Sequence, residues 1–345
     1  MMENKCTIVQ IAKESGFSKS TVSKVIRNEP YVGASTKEKI LKVMKKYNYH
    51  PDEIARSLVT KKAINFIGLI ISDITNPFFS EVALGVEEEA KKRKCQVILC
   101  NTNYDEEEEK KYIDILIRNR AIGILLATPK IDDKNIETLL DLGYPFVLIT
   151  RKVRGLKTNL VSVDHYKSSK MAVNYLIQKG HKKIAHFTGN EKTYGVIQRL
   201  NGYKSALNEN NIEVNNNFIF KNTPSIEGGY ECAKQLLETD EKFTAIFATD
   251  DLVAIGAMEY LKKNGYRIPE DYSIIGYDNI YIGALESISL TTVHQPKFEL
   301  GAKAVEILYK EIDNNTATNS APKPSVVKLD SYIVERGSVL DLNNN

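Results

Sequence analysis

Carboxylates, an amide and aromatic rings follow three apolar runs in the second part of the sequence. They are Asp73, Asn76, Phe78 and Phe79 after the first run, Asp250 and Asp251 after the second, and Tyr277 with Asp278 after the third. Carboxylates accept hydrogen bonds from hydroxyl groups, and an aromatic ring can cover the apolar face of a sugar. The combination indicates a cleft for a small polyhydroxylated molecule, with Asp278 as a polar anchor and Phe78 as the stacking ring. Phe79 is expected in the core, and Asp251 is a candidate N-cap or structural residue because Leu252 begins a helix.

The elements that must position these residues alternate between apolar runs and stretches of helical period. The apolar runs are 66–71, 96–99, 122–127, 146–149, 183–187, 245–248 and 272–276. Such alternation predicts an α/β fold whose parallel sheets are covered on both faces. About ten strands are too many for a typical single sheet and suit two lobes. In open α/β sheets the ligand binds off the carboxyl ends of the strands, where the residues above lie.

Motifs for catalysis are missing from the sequence. There is no GxxxxGK[ST] phosphate loop, no HExxH and no GxSxG. The five histidines and the four cysteines have no metal-ligand or redox spacing. We therefore expect no catalytic residue, no metal ligand and no cofactor, and the cysteines are interpreted as buried or incidental thiols.

The first sixty residues carry the signals of three short helices. These signals are the Thr7–Gln10 capping box, the turn residue Gly16, the cap Ser18 before a helix at about 19–26, and the Ser35–Glu38 capping box before a helix that ends near Tyr47. Three helices with a glycine turn after the first are typical of a helix-turn-helix domain. The charge agrees, because 13 basic and 6 acidic residues give residues 1–62 a net +7, whereas 34 basic and 38 acidic residues give the remainder −4.

In a helix-turn-helix domain the second helix enters the major groove of DNA. On that basis Lys19, Ser20 and Lys24 are predicted to face the bases. The residues predicted to hold the phosphates or to stand beside them are Thr7, Ser18, Thr21, Ser23 and Arg27.

The run "TIVQIAKESGFSKSTVSKVIRN" at 7–28, followed by "STKEKI", "YNYHP" and "ARSL", resembles the LacI/GalR family of bacterial repressors. The family often has arginine at the position of Lys24 and asparagine at that of Arg27, differences that concern operator preference. The resemblance implies a hinge helix in residues 52–63 that folds on the operator and contacts it through Ala55, Arg56 and Leu58. Leu58 matches a leucine that enters the minor groove as an apolar wedge.

The second part of the chain also resembles this family, whose sensor domain looks like a periplasmic sugar-binding protein. Matching pieces include "SDITNPFFSEVALGVEEEA", "GHKKIAHFTG" and "AIFATDDLVAIGAM". The resemblance adds Asp164 and Arg199 to the effector site, Arg199 as a second polar anchor, and Tyr194 is a loop residue that could close over it. The chain of the family crosses between its lobes three times, here near Val163, Thr291 and Pro324.

These observations predict a small all-α helix-turn-helix head (1–51), a hinge (52–63) and a two-lobed, periplasmic-binding-protein-like effector domain with parallel sheets (64–340). The lobes comprise 64–163 with 292–324, and 164–291 with 325–340. The expected function is a repressor whose affinity for a near-palindromic double-stranded DNA operator is controlled by a small molecule. A sugar or sugar derivative is the expected effector, with a purine as the weaker option. We expect a cytoplasmic homodimer without membrane contact, because no signal sequence or membrane span is found and the tail 336–345 lacks an apolar heptad. A sugar-transport protein and an enzyme on a doubly wound fold are the alternatives.

Overall fold

The computed structural model describes residues 6–26, 29, 31–47, 49, 65–128, 134–189, 193–317 and 324–344. The chain forms two units, Met1–Asn65 and Phe66–Asn345. Arg27 and the predicted hinge segment, with Ala55, Arg56 and Leu58, lie outside the described residues. Among the described helices, none combines the length and the apolar character that crossing a membrane would require.

The first unit is a three-helix head. Its helices are α1 (Ile8–Ser15), α2 (Lys19–Ile26) and α3 (Ala34–Lys46). Ile11, Val22, Val25 and Ile40 are buried and form the centre of its core, with one or two of them contributed by each helix. The apolar positions of these short helices therefore meet on one side, and the polar side chains are left outside.

Capping explains two of the helix starts and corrects the third. The Thr7 hydroxyl accepts a hydrogen bond from the backbone N–H of Gln10, and the Ser18 hydroxyl accepts one from that of Thr21 at 3.1 Å. The turn between α1 and α2 depends on Gly16, whose φ of 75° is costly for any residue with a Cβ atom. The predicted Ser35 cap is wrong, because α3 begins at Ala34 with Gly33 as its N-cap and no side-chain capping bond.

The second unit contains two lobes, each built on a six-stranded sheet. The strands of the first lobe are β1 (Phe66–Ile71), β2 (Gln96–Asn101), β3 (Ile124–Ala127), β4 (Phe146–Ile149), β5 (Leu160–Val163) and β11 (Val326–Leu329). They lie in the order β11-β5-β4-β3-β1-β2, and every neighbouring pair is parallel. The helices of this lobe are α4 (Pro77–Lys92), α5 (Glu106–Arg118), α6 (Lys134–Asp141) and α11 (Lys297–Ala317). The almost uninterrupted apolar sequence of the inner strands is explained by burial on both faces, as predicted.

The second lobe repeats the arrangement. Its strands are β6 (Ile184–Thr188), β7 (Ile219–Lys221), β8 (Ala245–Ala248), β9 (Ser273–Asp278), β10 (Thr291–His294) and β12 (Tyr332–Val334), in the order β12-β10-β9-β8-β6-β7. Only β12 runs antiparallel to its neighbour among these described strands. The helices are α7 (His165–Gln178), α8 (Tyr194–Glu209), α9 (Ile226–Leu237) and α10 (Asp251–Lys263).

Strand pairing corrects the predicted positions of two of the three crossings between the lobes. The chain passes to the second sheet after β5, which ends at Val163. β10 pairs with β9 in the second sheet, so the next crossing follows His294 and not Thr291. β11 pairs with β5 in the first sheet, so the last crossing follows Leu329 and not Pro324. The segment 314–324, predicted as a crossing loop, begins inside α11, which ends at Ala317, and residues 318–323 lie outside the described residues.

Candidate functional site

A cavity of about 940 Å³ lies at the carboxyl ends of strands from both sheets. Segments that follow β1, β2, β3 and β4 line it from the first lobe, and segments that follow β6, β7, β8, β9 and β10 line it from the second. Its size is within the range of small-molecule sites. Six of the nine predicted effector residues line it: Asp73, Asn76, Phe78, Arg199, Asp250 and Asp278.

The first lobe contributes the aromatic part of the lining. Asn76 caps α4 by accepting a hydrogen bond from the backbone N–H of Phe78 at 2.9 Å, and Pro77 follows as the first helical residue. This start presents Phe78 and Phe79 to the cavity, with their rings edge to face at 5.3 Å. Phe78 is almost fully buried in the core of the lobe, whereas Phe79, which the sequence assigned to the core, is half-buried. The two rings together, and not Phe78 alone, form the apolar surface.

Arg199 is held in the second lobe by contacts on two sides. Its guanidinium group lies over the ring of Tyr277, 4.0 Å from the ring centre, and its Nη1 donates to the carbonyl of Thr249 at 2.7 Å. A guanidinium group has five N–H donors, and the Nε of Arg199 has no hydrogen-bond partner among the described residues. Arg199 therefore has the geometry of the predicted polar anchor.

Two buried carboxylates of the second lobe face the same space. Asp278 is 5% exposed, and burial raises the pKa of its carboxyl group to about 7 against the opposing effect of Arg199. Burial also raises the pKa of Asp250, which caps α10 through the N–H of Val253. Asp251 is not the cap but has the structural role that the sequence left open, because it accepts a hydrogen bond from the N–H of Ile280 at 2.8 Å.

Tyr104 of the first lobe lies close enough to carboxylates of both lobes for their charges to act on it. Loss of water around the Tyr104 hydroxyl raises its pKa, and Asp250, Asp73 and Asp278 raise it further. Asp73 belongs to the first lobe and the other two carboxylates to the second, so the groups that would hold ligand hydroxyls approach the cavity from both sides.

Three buried polar atoms of the lining lack a hydrogen-bond partner within the described part of the chain. They are Nε of Arg199, Oγ1 of Thr249 and Oε1 of Gln295. A buried polar atom without a partner costs on the order of 1–3 kcal/mol. The donor, the acceptor and the hydroxyl are candidates for hydrogen bonds with a polar ligand or a bound water at this cavity.

Three predicted effector residues do not line the cavity. Tyr277 lies beneath Arg199, where its hydroxyl bonds with Ser168 at 2.6 Å and with His165 Nδ1 at 3.2 Å. Asp164 caps α7 and pairs with Lys328 of β11 at 2.7 Å, a contact between the lobes. Tyr194 begins α8 and packs edge-on against the His165 ring. These side chains support the site without facing the cavity.

Several lining residues were missed by the sequence analysis. Among them are Tyr104, His165, Asn222, Thr249 and Gln295. His165, Asn222 and Gln295 follow the short strands β5, β7 and β10, which the sequence analysis did not recognise. Thr249 and Tyr104 follow β8 and β2, which it did recognise, but they were not selected. Burial, followed in importance by Arg199, lowers the pKa of His165 well below its ordinary value, so its imidazole is neutral. No group of histidine, cysteine and acidic residues suited to a metal ion occurs in the described ranges.

The head presents the predicted DNA-contacting side of α2. Lys19, Ser20 and Lys24 are exposed, whereas Val22 and Val25 on the opposite side are buried. Ser18 and Thr21 also bond with each other through their hydroxyl groups at 2.8 Å. The described part of the head therefore leaves the predicted base-facing residues open to a partner, while Thr7, Ser18 and Thr21 have capping contacts of their own.

Two family models match the two units. A model described as "Bacterial regulatory proteins, lacI family" matches residues 7–52. A second, described as "Periplasmic binding proteins and sugar binding domain of LacI family", matches residues 65–330. The two matches fall on the helical head and on the two-lobed unit.

Similar proteins cover four-fifths of the chain or more. The HTH-type transcriptional repressor PurR of Vibrio atlanticus (strain LGP32) is 36% identical over 345 residues, covering 98% of this chain and 99% of the relative. A crystal structure of a LacI family transcriptional regulator from Enterococcus faecium with bound ribose is 32% identical, with a TM-score of 0.72, and covers 81% of this chain and 100% of that chain. A transcriptional regulator CelR–cellobiose complex is 25% identical, with a TM-score of 0.73, and covers 96% of this chain and 99% of that chain.

Proposed function

The chain belongs to the LacI family of bacterial regulatory proteins, and we propose that its operator affinity is controlled by an uncharged sugar bound in the cavity of its larger unit. Membership makes it a DNA-binding regulator of transcription with a helix-turn-helix head, and not an enzyme. The observation that carries the effector proposal is the cavity, with its paired rings, its two buried carboxylates and its three polar atoms without partners. We also propose that the protein works in the cytoplasm, where chromosomal DNA is found.

The charge of the lining selects among polyhydroxylated ligands. Carboxylates outnumber cations along it: six acidic side chains, of which Glu109 is paired with Arg151, stand against Arg199 and Lys221 among the described residues. A carboxylate or phosphate on the ligand would lie beside like charges, and the repulsion between them is strong at low dielectric. Hydroxyl groups donate to carboxylates, and the rings of Phe78 and Phe79 can cover the apolar face of a pyranose or furanose. An uncharged sugar therefore fits better than a sugar acid or a sugar phosphate.

Control of DNA binding follows from the position of the cavity between two lobes. A ligand that bonds with Asp73 on one side and with Asp278 or Arg199 on the other favours the lobe arrangement in which both sets are in reach. The ligand shifts the equilibrium only by its difference in affinity between the arrangements. We propose that this arrangement decides whether the segment 52–63, with Ala55, Arg56 and Leu58, contacts the operator together with α2.

A homodimer is the form that we propose for the operator complex. The strand β2 lies at an edge of the first sheet and exposes Ile98 and Leu99, and Leu84 on α4 is also exposed. An exposed apolar sheet edge is normally covered by another chain or element. Two copies related by a two-fold axis would place two heads on the half-sites of a near-palindromic operator.

The proposal is tested in two steps, a screen for ligands and then a DNA-binding assay. The full-length protein is screened by thermal shift against neutral pentoses, hexoses and disaccharides, the matching sugar acids and phosphates, nucleosides and purines. A ligand at 100 times its Kd stabilises the fold by about 2.7 kcal/mol and raises Tm measurably. We expect a hit among the neutral sugars only.

The same sugar is then added to an operator-binding assay on a duplex that the protein selects from a random pool. We expect the sugar to change operator affinity by about fivefold or more, in the direction that identifies it as inducer or corepressor. A hit confined to acids, phosphates or purines would overturn the sugar class. The absence of any hit, or a hit that leaves operator affinity unchanged, would overturn effector control by a sugar.

A further inference from the structure

The segment Gln295–Lys297 holds Asp278 and also forms the second crossing between the lobes. It follows β10 of the second lobe and leads directly into α11 of the first. Gln295 Nε2 donates to the Asp278 carboxylate at 2.5 Å, and Lys297 Nζ donates to the Asp278 carbonyl at 2.8 Å. Asp278 is thus gripped through its side chain and its main chain by the segment that joins the two sheets.

Lys297 is buried to a degree that is rare for a lysine. Its side chain is 1% exposed, and charged groups are seldom buried without partners. Besides Asp278, its ammonium group donates to the carbonyl of Asn279 at 2.8 Å and lies 3.4 Å from the carboxylate of Glu81. Glu81 belongs to α4, so Lys297 connects the end of β9 in the second lobe with a helix of the first.

The backbone that Lys297 holds is in an unusual conformation. Asp278 has a φ of 117° and Asn279 a φ of 56°, both in the region that side chains other than glycine rarely adopt. Lys297 bonds with the carbonyls of both residues, and Arg336 Nη2 donates to the Asn279 side chain at 2.7 Å. The orientation of the Asp278 carboxylate toward the cavity therefore depends on these bonds.

On the other side of the crossing, α4 and α11 are packed too closely to slide independently. A Cβ atom on Gly85 of α4 would lie 2.0 Å from the carbonyl oxygen of Phe298, and one on Gly301 of α11 would lie 2.1 Å from that of Val82. A movement of Lys297, the first residue of α11, is consequently shared by α4. The same helix α4 begins with the cavity residues Asn76 and Phe78.

We infer that Gln295 and Lys297 form a coupling clasp that transmits effector engagement of Asp278 to α4 and α11 of the first lobe. The inference rests on the proposed function, because it assigns a role in regulation to the same cavity. A ligand hydroxyl that donates to Asp278 Oδ1 competes with Gln295 Nε2, and the amide can then turn its unpartnered Oε1 toward a second ligand hydroxyl. The amide turns with the ligand, and the adjoining Lys297–Glu81 pair carries the change across. Lys297 is a positioning residue, because it acts through Asp278 and Glu81.

A purely structural role for Lys297 is the alternative, and the coupling factor separates the two. This factor is the ratio of operator Kd values measured with and without saturating sugar. The variants are Lys297→Met, which keeps the stem and removes the charge, and Glu81→Gln, which changes only the half-exposed partner. The matched control is Lys303→Met, which removes the same group from a half-exposed pair with Glu306 on the same helix.

The sugar probe is whichever of D-ribose, cellobiose and D-glucose raises the wild-type Tm most, and the DNA is the selected duplex. We expect both variants to reduce a wild-type factor within the usual 5–150-fold range by about fivefold or more, whereas Lys303→Met keeps it. A coupling factor that stays at the wild-type value in Glu81→Gln and in folded Lys297→Met would overturn the clasp, even if Tm were lower in both variants. Lys297→Met that fails to fold leaves Glu81→Gln to decide.

If none of the three sugars binds, the role of the clasp is tested without a ligand. This test does not depend on the identity of the effector. Asp278→Asn then serves as the perturbation at the cavity, and operator affinity is the readout. We expect Asp278→Asn to change operator affinity at least threefold in the wild-type background and by less than half as much in the Glu81→Gln background. Equal effects in the two backgrounds, or no effect in either, would overturn the inference.

Discussion

At the scale of single residues, Asp278 combines a proposed binding role with a burial that disfavours its charged form. Its folded-state pKa of about 7 lies above the ordinary value of 3.8, so the folded protein holds a proton there that the unfolded chain has lost between about pH 4 and 7. Stability contributed at this position is therefore highest at low pH and falls as pH rises toward 7. Asp278→Asn removes the titration.

The measurement is urea unfolding at several pH values for the wild type and Asp278→Asn. We expect the stability of the wild type relative to the variant to fall by up to about 1.4 kcal/mol per pH unit across this window. Asp240→Asn, which removes an exposed carboxyl group, is the control for the loss of one charge. Parallel profiles for Asp278→Asn would show that the carboxyl group titrates as it does in the unfolded chain.

Arg199 should contribute more to ligand affinity than other cations of the same helix. Arg199→Met removes a guanidinium group that lies over Tyr277 with its Nε open. A hydrogen bond to a charged group contributes about 1.5–3 kcal/mol, so sugar affinity measured by calorimetry should fall about tenfold or more. Lys204→Met, a surface lysine of α8 that bonds with Asn216, should leave it unchanged. Equal losses in the two variants would remove Arg199 from the binding site.

Side-chain types at strand ends were predictable, but their burial and their partners were not. Asp73 and Asp278 were found because a carboxylate after an apolar run is a local signal. Tyr277 carries the same signal yet lies beneath Arg199, since consecutive strand residues point to opposite faces. Phe78 was predicted as the stacking ring and Phe79 as a core residue, but Phe78 is the more buried of the two. The start of α4 decides which ring faces inward, and that start depends on the Asn76 cap.

At the scale of elements, the head offers a test of which caps hold its helices. Ser18 accepts the N–H of Thr21 at the start of α2, whereas Ser35 lies inside α3 without a capping bond. Ser18→Ala should destabilise α2 by about 1 kcal/mol, and Ser35→Ala should be neutral or slightly favourable because alanine is the better helix former. Hydrogen exchange of the α2 and α3 amides in the full-length protein measures both. Faster exchange in Ser35→Ala than in Ser18→Ala would reverse the assignment.

Elements with strong periodicity were predictable, whereas connections were not. Inner strands such as β1 and β8 are short apolar runs, which predict buried strands. The capping residues located the starts of α1 and α2. The crossings after His294 and Leu329 were misplaced because β10 and β11 are four residues long and mix polar with apolar side chains. Only their hydrogen-bonded neighbours, β9 and β5, decide to which sheet they belong.

At the scale of the whole molecule, the two edges of the first sheet differ in a way that predicts the assembly. The edge strand β11 carries Lys328, which is paired with Asp164, and a charged edge resists addition of another strand. The opposite edge strand β2 has no charged residue and exposes Ile98 and Leu99. A second copy of the chain at the β2 edge would remove these side chains from water.

Replacing both Ile98 and Leu99 with lysine should convert the protein from dimer to monomer in sedimentation velocity at micromolar concentration, because two charges would have to be buried in the contact. Val326→Lys places a charge on β11, where Val326 is 59% exposed, and should leave the dimer intact. Operator binding by the β2 variant should then weaken at least tenfold, since each head alone makes half of the contacts with a near-palindromic site. A dimer that persists in the β2 variant and dissociates in Val326→Lys would place the contact at the other edge of the sheet.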